Sequence, residues 1–216
     1  MDSYFKKGVS NHKTVHDFLA SLLRMSAKYQ ASDLQQEVLK GLSGLYPYPP
    51  SPPPTHIPVA ETSSIVAVIH ASRMAGAEYL LPVAFYYLAT RPLNAVIFSL
   101  QNLQDIHQCL NGREKLLRRQ QDSVWYIQRP QELCHISCFE NWMKFLHSAT
   151  GKDMLNRSAV FSANIGQSAA PVCETFKGII HDQIRASQDT IWDCLPAYFM
   201  LDDWATLRKP LGARKV

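Results

Sequence analysis

Apolar residues recur along most of this chain at steps of three and four, the spacing that lines up one face of an α-helix. Over residues 14–29 the positions are Val15, Phe18, Leu19, Leu22, Leu23 and Tyr29. Together they predict one inward face. Ser32-Asp33-Leu34-Gln35 reads as a capping box that opens a second helix, with Leu34, Val38, Leu42 and Leu45 inward. The break at Gln30-Ala31 is short, so the two helices are expected to pack as a hairpin. Residues 61–75 and 78–90 follow as two more helices. Ile65, Val66, Val68, Ile69 and Ser72 mark the inner side of the first. Leu80, Leu81, Ala84, Phe85 and Leu88 mark that of the second. Gly76 separates them. Pro82 falls in a first turn, where its missing N–H costs little, and Arg91-Pro92 closes the second helix.

Further on, Leu103, Ile106 and Leu110 predict a short amphipathic helix. Asn111-Gly112 reads as a sharp break, after which Asn111 and Glu114 cap a new helix. Its inward residues are Leu116, Leu117, Val124 and Ile127, with Trp125 or Tyr126, and Glu114 with Arg118 forms an i,i+4 ion pair. Residues 134–148 are helical through Phe139, Trp142, Met143, Phe145 and Leu146. Residues 150–171 read as an irregular loop. A long helix over 171–194 carries Phe176, Ile179, Ile180, Ile184, Ile191 and Trp192. Leu195-Pro196 breaks it, Tyr198, Phe199, Leu201 and Trp204 form an aromatic ending, and Asp202-Asp203 is placed at the N-cap of a last short helix. Alternating strand patterns with turn pairs are missing. The expected class is all-α, an irregular array of about seven to nine helices.

One stretch breaks the periodicity. Residues 47–58, PYPPSPPPTHIP, hold seven prolines in twelve positions, which fixes φ and removes backbone donors. The organisation that follows is a helical hairpin over 1–46, a Pro-rich linker over 47–60, a helical domain over 61–208 and a basic tail over 209–216. Pro47-x-x-Pro50 and Pro50-x-x-Pro53 fit the PxxP pattern of ligands for proline-binding domains. An exposed inter-helix loop explains them as well, since such spacings arise in any proline-rich run.

Composition adds limits. In 216 residues, 46% hydrophobic and 19% charged, the chain can bury a sizeable core. A net charge of +4, spread along the sequence, does not argue for a nucleic-acid or anionic-membrane surface. No segment approaches the ~18 apolar residues of a membrane span, and no apolar run follows the N-terminal lysines as in a secretory signal. An intracellular location, cytoplasmic or nuclear, is expected, with the five cysteines reduced.

No H-E-x-x-H, G-x-S-x-G or P-loop is present, so the expected role is not enzymatic. His107 near Cys109 is the nearest approach to a nucleophile–base pair. Cys134 and Cys138, four apart, would share a helical face, with Cys173 thirty-five residues beyond Cys138. Two readings stand: buried thiols, or a structural zinc held by Cys134, Cys138 and Cys173, with His135 or His181 as fourth ligand. Basic residues gather at Arg113, Lys115, Arg118 and Arg119, and at Arg208, Lys209, Arg214 and Lys215. They read as a solvated helix face and a tail, or as a nucleic-acid surface.

Four runs carry a resemblance. They are residues 22–47 (LLRMSAKYQASDLQQEVLKGLSGLYP), 66–89 (VAVIHASRMAGAEYLLPVAFYYLA), 109–120 (CLNGREKLLRRQ) and 191–209 (IWDCLPAYFMLDDWATLRK). In order and spacing they resemble the C-terminal helical region of the fungal, basidiomycete BTB/POZ-domain family. The resemblance implies a helical protein-interaction module that recruits a protein partner, as an adaptor for ubiquitin ligation or transcriptional regulation. In that family a BTB core precedes such a region, and this sequence begins without one. BTB dimerisation and cullin docking rest mainly on that core, so they do not carry over. The family pattern also places a C-x-x-C where this chain has Cys173 and Phe176. The alternatives are a nucleic-acid-associated regulator and a truncated product without retained function.

Overall fold

The computed structural model describes residues 12–54, 60–125, 136–148, 160–161 and 172–209. The protein is all-α: the described residues form ten α-helices, eight of them seven residues or longer, and no strand. They are α1 (His12–Lys28), α2 (Ser32–Leu45), α3 (Thr62–Met74), α4 (Leu81–Ala89), α5 (Leu93–Ser99), α6 (Leu103–Trp125), α7 (Ile136–His147), α8 (Glu174–Asp193), α9 (Leu195–Tyr198) and α10 (Trp204–Leu207). A single 3-10 turn, Glu78–Leu80, leads into α4.

Helix α4, LPVAFYYLA, carries no charge and is apolar on every side, so it has no face to give to water. All nine of its residues are buried. Pro82 lies in its first turn, as expected. Around it pack α3, α5, α6 and α9, while α1 covers α3 and α2 packs on α1. One apolar core therefore runs from Ala20 and Leu23 in α1, through Val38 and Leu42 in α2, to Trp204 in α10. Each large side chain buried in it contributes roughly 1.5–3 kcal/mol.

Aromatic rings thread this core in series. His16 meets Tyr46 edge-on at 5.6 Å, and Tyr46 meets Tyr87 at 5.5 Å. Tyr87 neighbours Tyr86, which meets Phe161 at 5.0 Å. Phe161 meets Trp192 at 5.7 Å, and Trp192 meets Trp204 at 5.3 Å. A buried phenol needs a hydrogen-bond partner, and each one in the series has it. Tyr46 Oη bonds His16 Nδ1 at 2.8 Å, Tyr87 Oη donates to Leu45 O at 3.1 Å, and Tyr86 Oη accepts from the Phe161 N–H at 3.2 Å. Burial holds all three phenols far above the usual tyrosine range.

Three corrections concern helix boundaries and faces. Asn111-Gly112 is no break: α6 is continuous over Leu103–Trp125. Gly112 is there for contact, since an added Cβ would stand 2.9 Å from Phe199 Cζ and closer still to Cδ1 and Cε1. The Phe199 ring, stacked on Phe85 at 5.6 Å, needs that gap. Ser32 is not the N-cap of α2; Ala31 is, with no side-chain cap, and Gln35 donates instead to Ala75 O at 3.2 Å. Third, α1 turns His16, Ala20, Leu23 and Ser26 inward, while Phe18 and Tyr29 are exposed, as are Leu34 of α2 and Leu103 of α6. A helix with apolar residues on two sides lets the tertiary partner choose, and α3 takes the side with the smaller residues.

Several expectations hold. Asp203 caps α10, accepting from Thr206 N at 2.7 Å, and those backbone donors pull its carboxyl below the usual range. The Glu114–Arg118 pair is formed, exposed and worth about 0.3–0.5 kcal/mol. Of the proline-rich stretch, residues 47–54 are described, and they fold back on the body. Tyr48 meets Tyr79 at 4.8 Å, and Arg208 lies over the Tyr48 ring and donates to Pro49 O at 3.3 Å. The expected loop over 150–171 falls outside the described residues except for Val160 and Phe161, both buried.

Three helices end alike. At Gln30, Gly76 and Met200 the backbone turns left-handed, with φ of 54°, 67° and 54°. Each end closes with paired bonds to the preceding turn: Ala31 N to Ser26 O, Ala77 N to Ser72 O, and Leu201 N to Pro196 O. This is the Schellman ending, which glycine adopts without a Cβ penalty. Gln30→Gly is therefore expected to raise stability by about 0.5–1 kcal/mol in chemical denaturation. In the same assay Gly112→Ala is expected to lower it by about 1–3 kcal/mol, because the Phe199 ring has nowhere to go.

Candidate functional site

The sulfurs nominated as metal ligands are partly brought together. Cys138 on α7 and Cys173 at the N-cap of α8 share a small second cluster with Trp142, Leu146, Phe176, Ile180 and Ile184. The Cys173 N–H donates to Cys138 Sγ at 3.4 Å. Cys134 and His135 lie outside the described residues. His181 is exposed and faces Asp182 at 3.6 Å. Phe176, three residues beyond Cys173, is fully buried and supplies a ring to the cluster. Among the described residues, no three of His, Cys, Asp and Glu converge as a metal site would need. Cys138 and Cys173 would hold a zinc from adjacent elements, but the described residues offer no further ligand.

The other cysteine weighed for chemistry is sealed. Cys109 is buried in the main core, and burial pushes its thiol up to about 12. A thiol so raised stays protonated and is a poor nucleophile. His107, two residues away on α6, faces solvent, so the geometry does not pair them.

The inner face of α6 carries three of the buried polar side chains among the described residues. Asp105, Gln108 and Gln120 are buried there beside Cys109, Gly112 and Leu116. From α3, Arg73 Nη2 donates to Asp105 Oδ1 at 2.5 Å and to Gln108 Oε1 at 2.9 Å. Arg113 Nη1 reaches Ala89 O and Arg91 O, each at 2.6 Å. It satisfies carbonyls that the C-terminal end of α4 leaves open. Asn111 Nδ2 donates to Tyr198 O at 3.4 Å. Apart from Leu116, none of these residues was expected to face inward. The available signal was their spacing, since 105, 108, 109, 112, 116 and 120 step by three and four, but polar residues on such a stripe read as solvated.

The basic clusters are correspondingly thinned. Arg113 is turned inward, Arg118 is paired with Glu114, and Arg208 is held over Tyr48. Lys115 and Arg119 face solvent on α6, and Arg214 and Lys215 lie outside the described residues. Between α6 and α8 a small recess is lined by Gln120, Ser123, Val160, Ile184, Ser187 and Gln188. Ser123 and Ser187 bridge it with a short hydroxyl–hydroxyl bond, and Gln188 Nε2 donates to Val160 O at 2.7 Å. Such a recess has room for water rather than for a substrate. No helix among the described residues is long and apolar enough to cross a membrane.

Exposed apolar residues collect in two places. Phe18, Met25 and Tyr29 stand out from α1, with Leu34 at the start of α2. Leu93, Ile97, Phe98 and Leu103 stand out from α5 and the first turn of α6.

Comparisons with protein-family models, curated proteins and solved structures find no match to this chain.

A structural zinc would bind in proportion to protein and depend on Cys138. With an aromatic ring in place of a further sulfur, purified protein is expected to carry no stoichiometric zinc by mass spectrometry. One equivalent, lost on Cys138→Ser, would make the cluster a metal centre.

Proposed function

We propose that this chain is a non-catalytic protein-interaction module that acts as an adaptor, the role its resemblance to the C-terminal region of fungal BTB/POZ proteins implies. The observation that carries the reading is the segment over residues 92–104, PLNAVIFSLQNLQ. It has no charged residue, yet Phe98 is 87% exposed and Leu103 81% exposed. Two large apolar side chains standing almost fully in water, with Leu93 and Ile97 beside them, are the kind of surface that marks a protein contact. Val96 and Leu100 anchor the segment to the core, so the display is held by folded structure.

A nucleic-acid surface has less support. Such binding needs several cations free to reach phosphates, and Arg113, Arg118 and Arg208 are engaged within the protein.

The test is affinity capture from fungal lysate with the full chain and with Phe98→Asp and Leu103→Asp. Both positions are exposed, so the variants are expected to keep wild-type helicity by circular dichroism. Proteins retained by wild type and lost from both variants are the expected result. Identical capture by all three would overturn the reading.

A further inference from the structure

We infer that α1 is a self-association helix, pairing antiparallel with α1 of a second copy of this chain. This does not rest on the adaptor reading, which concerns α5 and the start of α6.

The argument begins with spacing. The outward apolar residues of α1 are Phe18, Leu22, Met25 and Tyr29, at steps of four, three and four. On an α-helix these fall within an arc of about 60°, and the alternation is that of a coiled-coil seam. Leu22 is half-buried against the core, while Phe18, Met25 and Tyr29 are 50%, 54% and 68% exposed. The inward stripe, His16, Ala20, Leu23 and Ser26, is separate and already used. So α1 holds two seams, and the described residues leave the outer one uncovered.

The outer seam is its own complement. Laid antiparallel about a two-fold axis between Leu23 and Arg24, Phe18 faces Tyr29 of the second copy, and Leu22 faces its Met25. Each layer sets one large, mainly apolar side chain against another. A single register satisfies all four positions, which is what an isologous contact requires.

The charges agree with that register. Asp17 and Lys28 lie on the same flank of the seam and make no ion pair within the described residues. Lys28 only leans over the Tyr29 ring, 5.5 Å away. In the antiparallel pair each Asp17 comes beside Lys28 of the second copy, offset by two residues, about 3 Å along the axis, which a lysine side chain spans. The two-fold makes two such pairs. Arg24, nearest the axis, sits off the seam and turns along its own helix to Ser21 Oγ, 3.5 Å away. In a parallel pair this flank would face the opposite flank of the second copy, so Asp17 and Lys28 would not meet, and the pairing is available only to the antiparallel arrangement.

The exposed part of this seam, with Leu34 beside it, amounts to roughly 400 Å² of apolar surface. That is about half the area one partner contributes to a standard interface, so the flanks must supply the rest and the dimer is a modest one.

The test uses the full chain in sedimentation equilibrium over a range of concentrations. Wild type is expected to move from 24.4 kDa toward twice that mass. Asp17→Lys and Lys28→Asp are each expected to weaken the dimer ten-fold or more, since each sets two like-charged pairs across the axis. The double swap, Asp17→Lys with Lys28→Asp, is expected to restore it. Lys28 is exposed and Asp17 half-buried, and circular dichroism checks that helicity is kept. A wild-type chain that stays monomeric up to roughly 1 mM overturns the inference. So does a dimer indifferent to both single swaps, or a monomer whose Met25→Asp variant loses a different protein partner.

Discussion

The nine residues of α4 have no side facing water, and the rest of the molecule is arranged to meet that condition. A helix this apolar must be enclosed all round, so α3, α5, α6 and α9 are set about it. Enclosure has a polar cost, since two of the buried rings carry hydroxyls and the helix end carries open carbonyls. The solutions come from distant parts of the chain. Tyr87 reaches the carbonyl of Leu45 in α2, Tyr86 receives the amide of Phe161, and Arg113 of α6 closes the carbonyls after α4. Hydrophobic burial draws the helices together, and these few polar bonds fix which helix lies where.

That division explains the unusual use of charge. The run CLNGREKLLRRQ reads as a basic amphipathic helix, yet its members mostly serve the interior. Cys109, Gly112 and Leu116 face the core, Asn111 holds the turn before Met200, and Arg113 caps α4. Arg73 performs a similar service at the first turn of α6 through Asp105 and Gln108. Cations that would otherwise suggest a phosphate partner act here as fasteners between helices.

Much of the architecture was legible in the sequence, because periodicity reports local amphipathicity and α2, α3, α7 and α8 each have it. The failures share one cause. Asn111-Gly112 has the local signature of a turn, and only Phe199, far along the chain, requires a glycine there inside a continuous helix. On α1 the sequence offers apolar residues on two sides, and only the position of α3 decides between them. Ser32 has the chemistry of a cap, but the Schellman ending at Gln30 sets the helix start one residue earlier. The cysteine arithmetic identified Cys138 and Cys173, which do meet. It could not reveal that Cys109 would be sealed inside, since burial is not a property of spacing. Leu103 was expected inward, and the apolar residues Leu93, Ile97 and Phe98 before it were given no role, because exposure depends on neighbours that spacing does not report.

Helix α8 belongs to two apolar bodies at once. Its first half, through Phe176, Ile180 and Ile184, packs with α7, while Ile191 and Trp192 enter the main core. Among the described residues the smaller body rests on six buried residues and has no ring in the series that runs from His16 to Trp204. Its opening costs far less than opening the whole. The amides of α7 and the first half of α8 therefore form a cooperative unit of their own, exchanging with solvent while the second half stays protected. A single unbroken helix thus spans a boundary in stability, and what is continuous in geometry is divided in free energy.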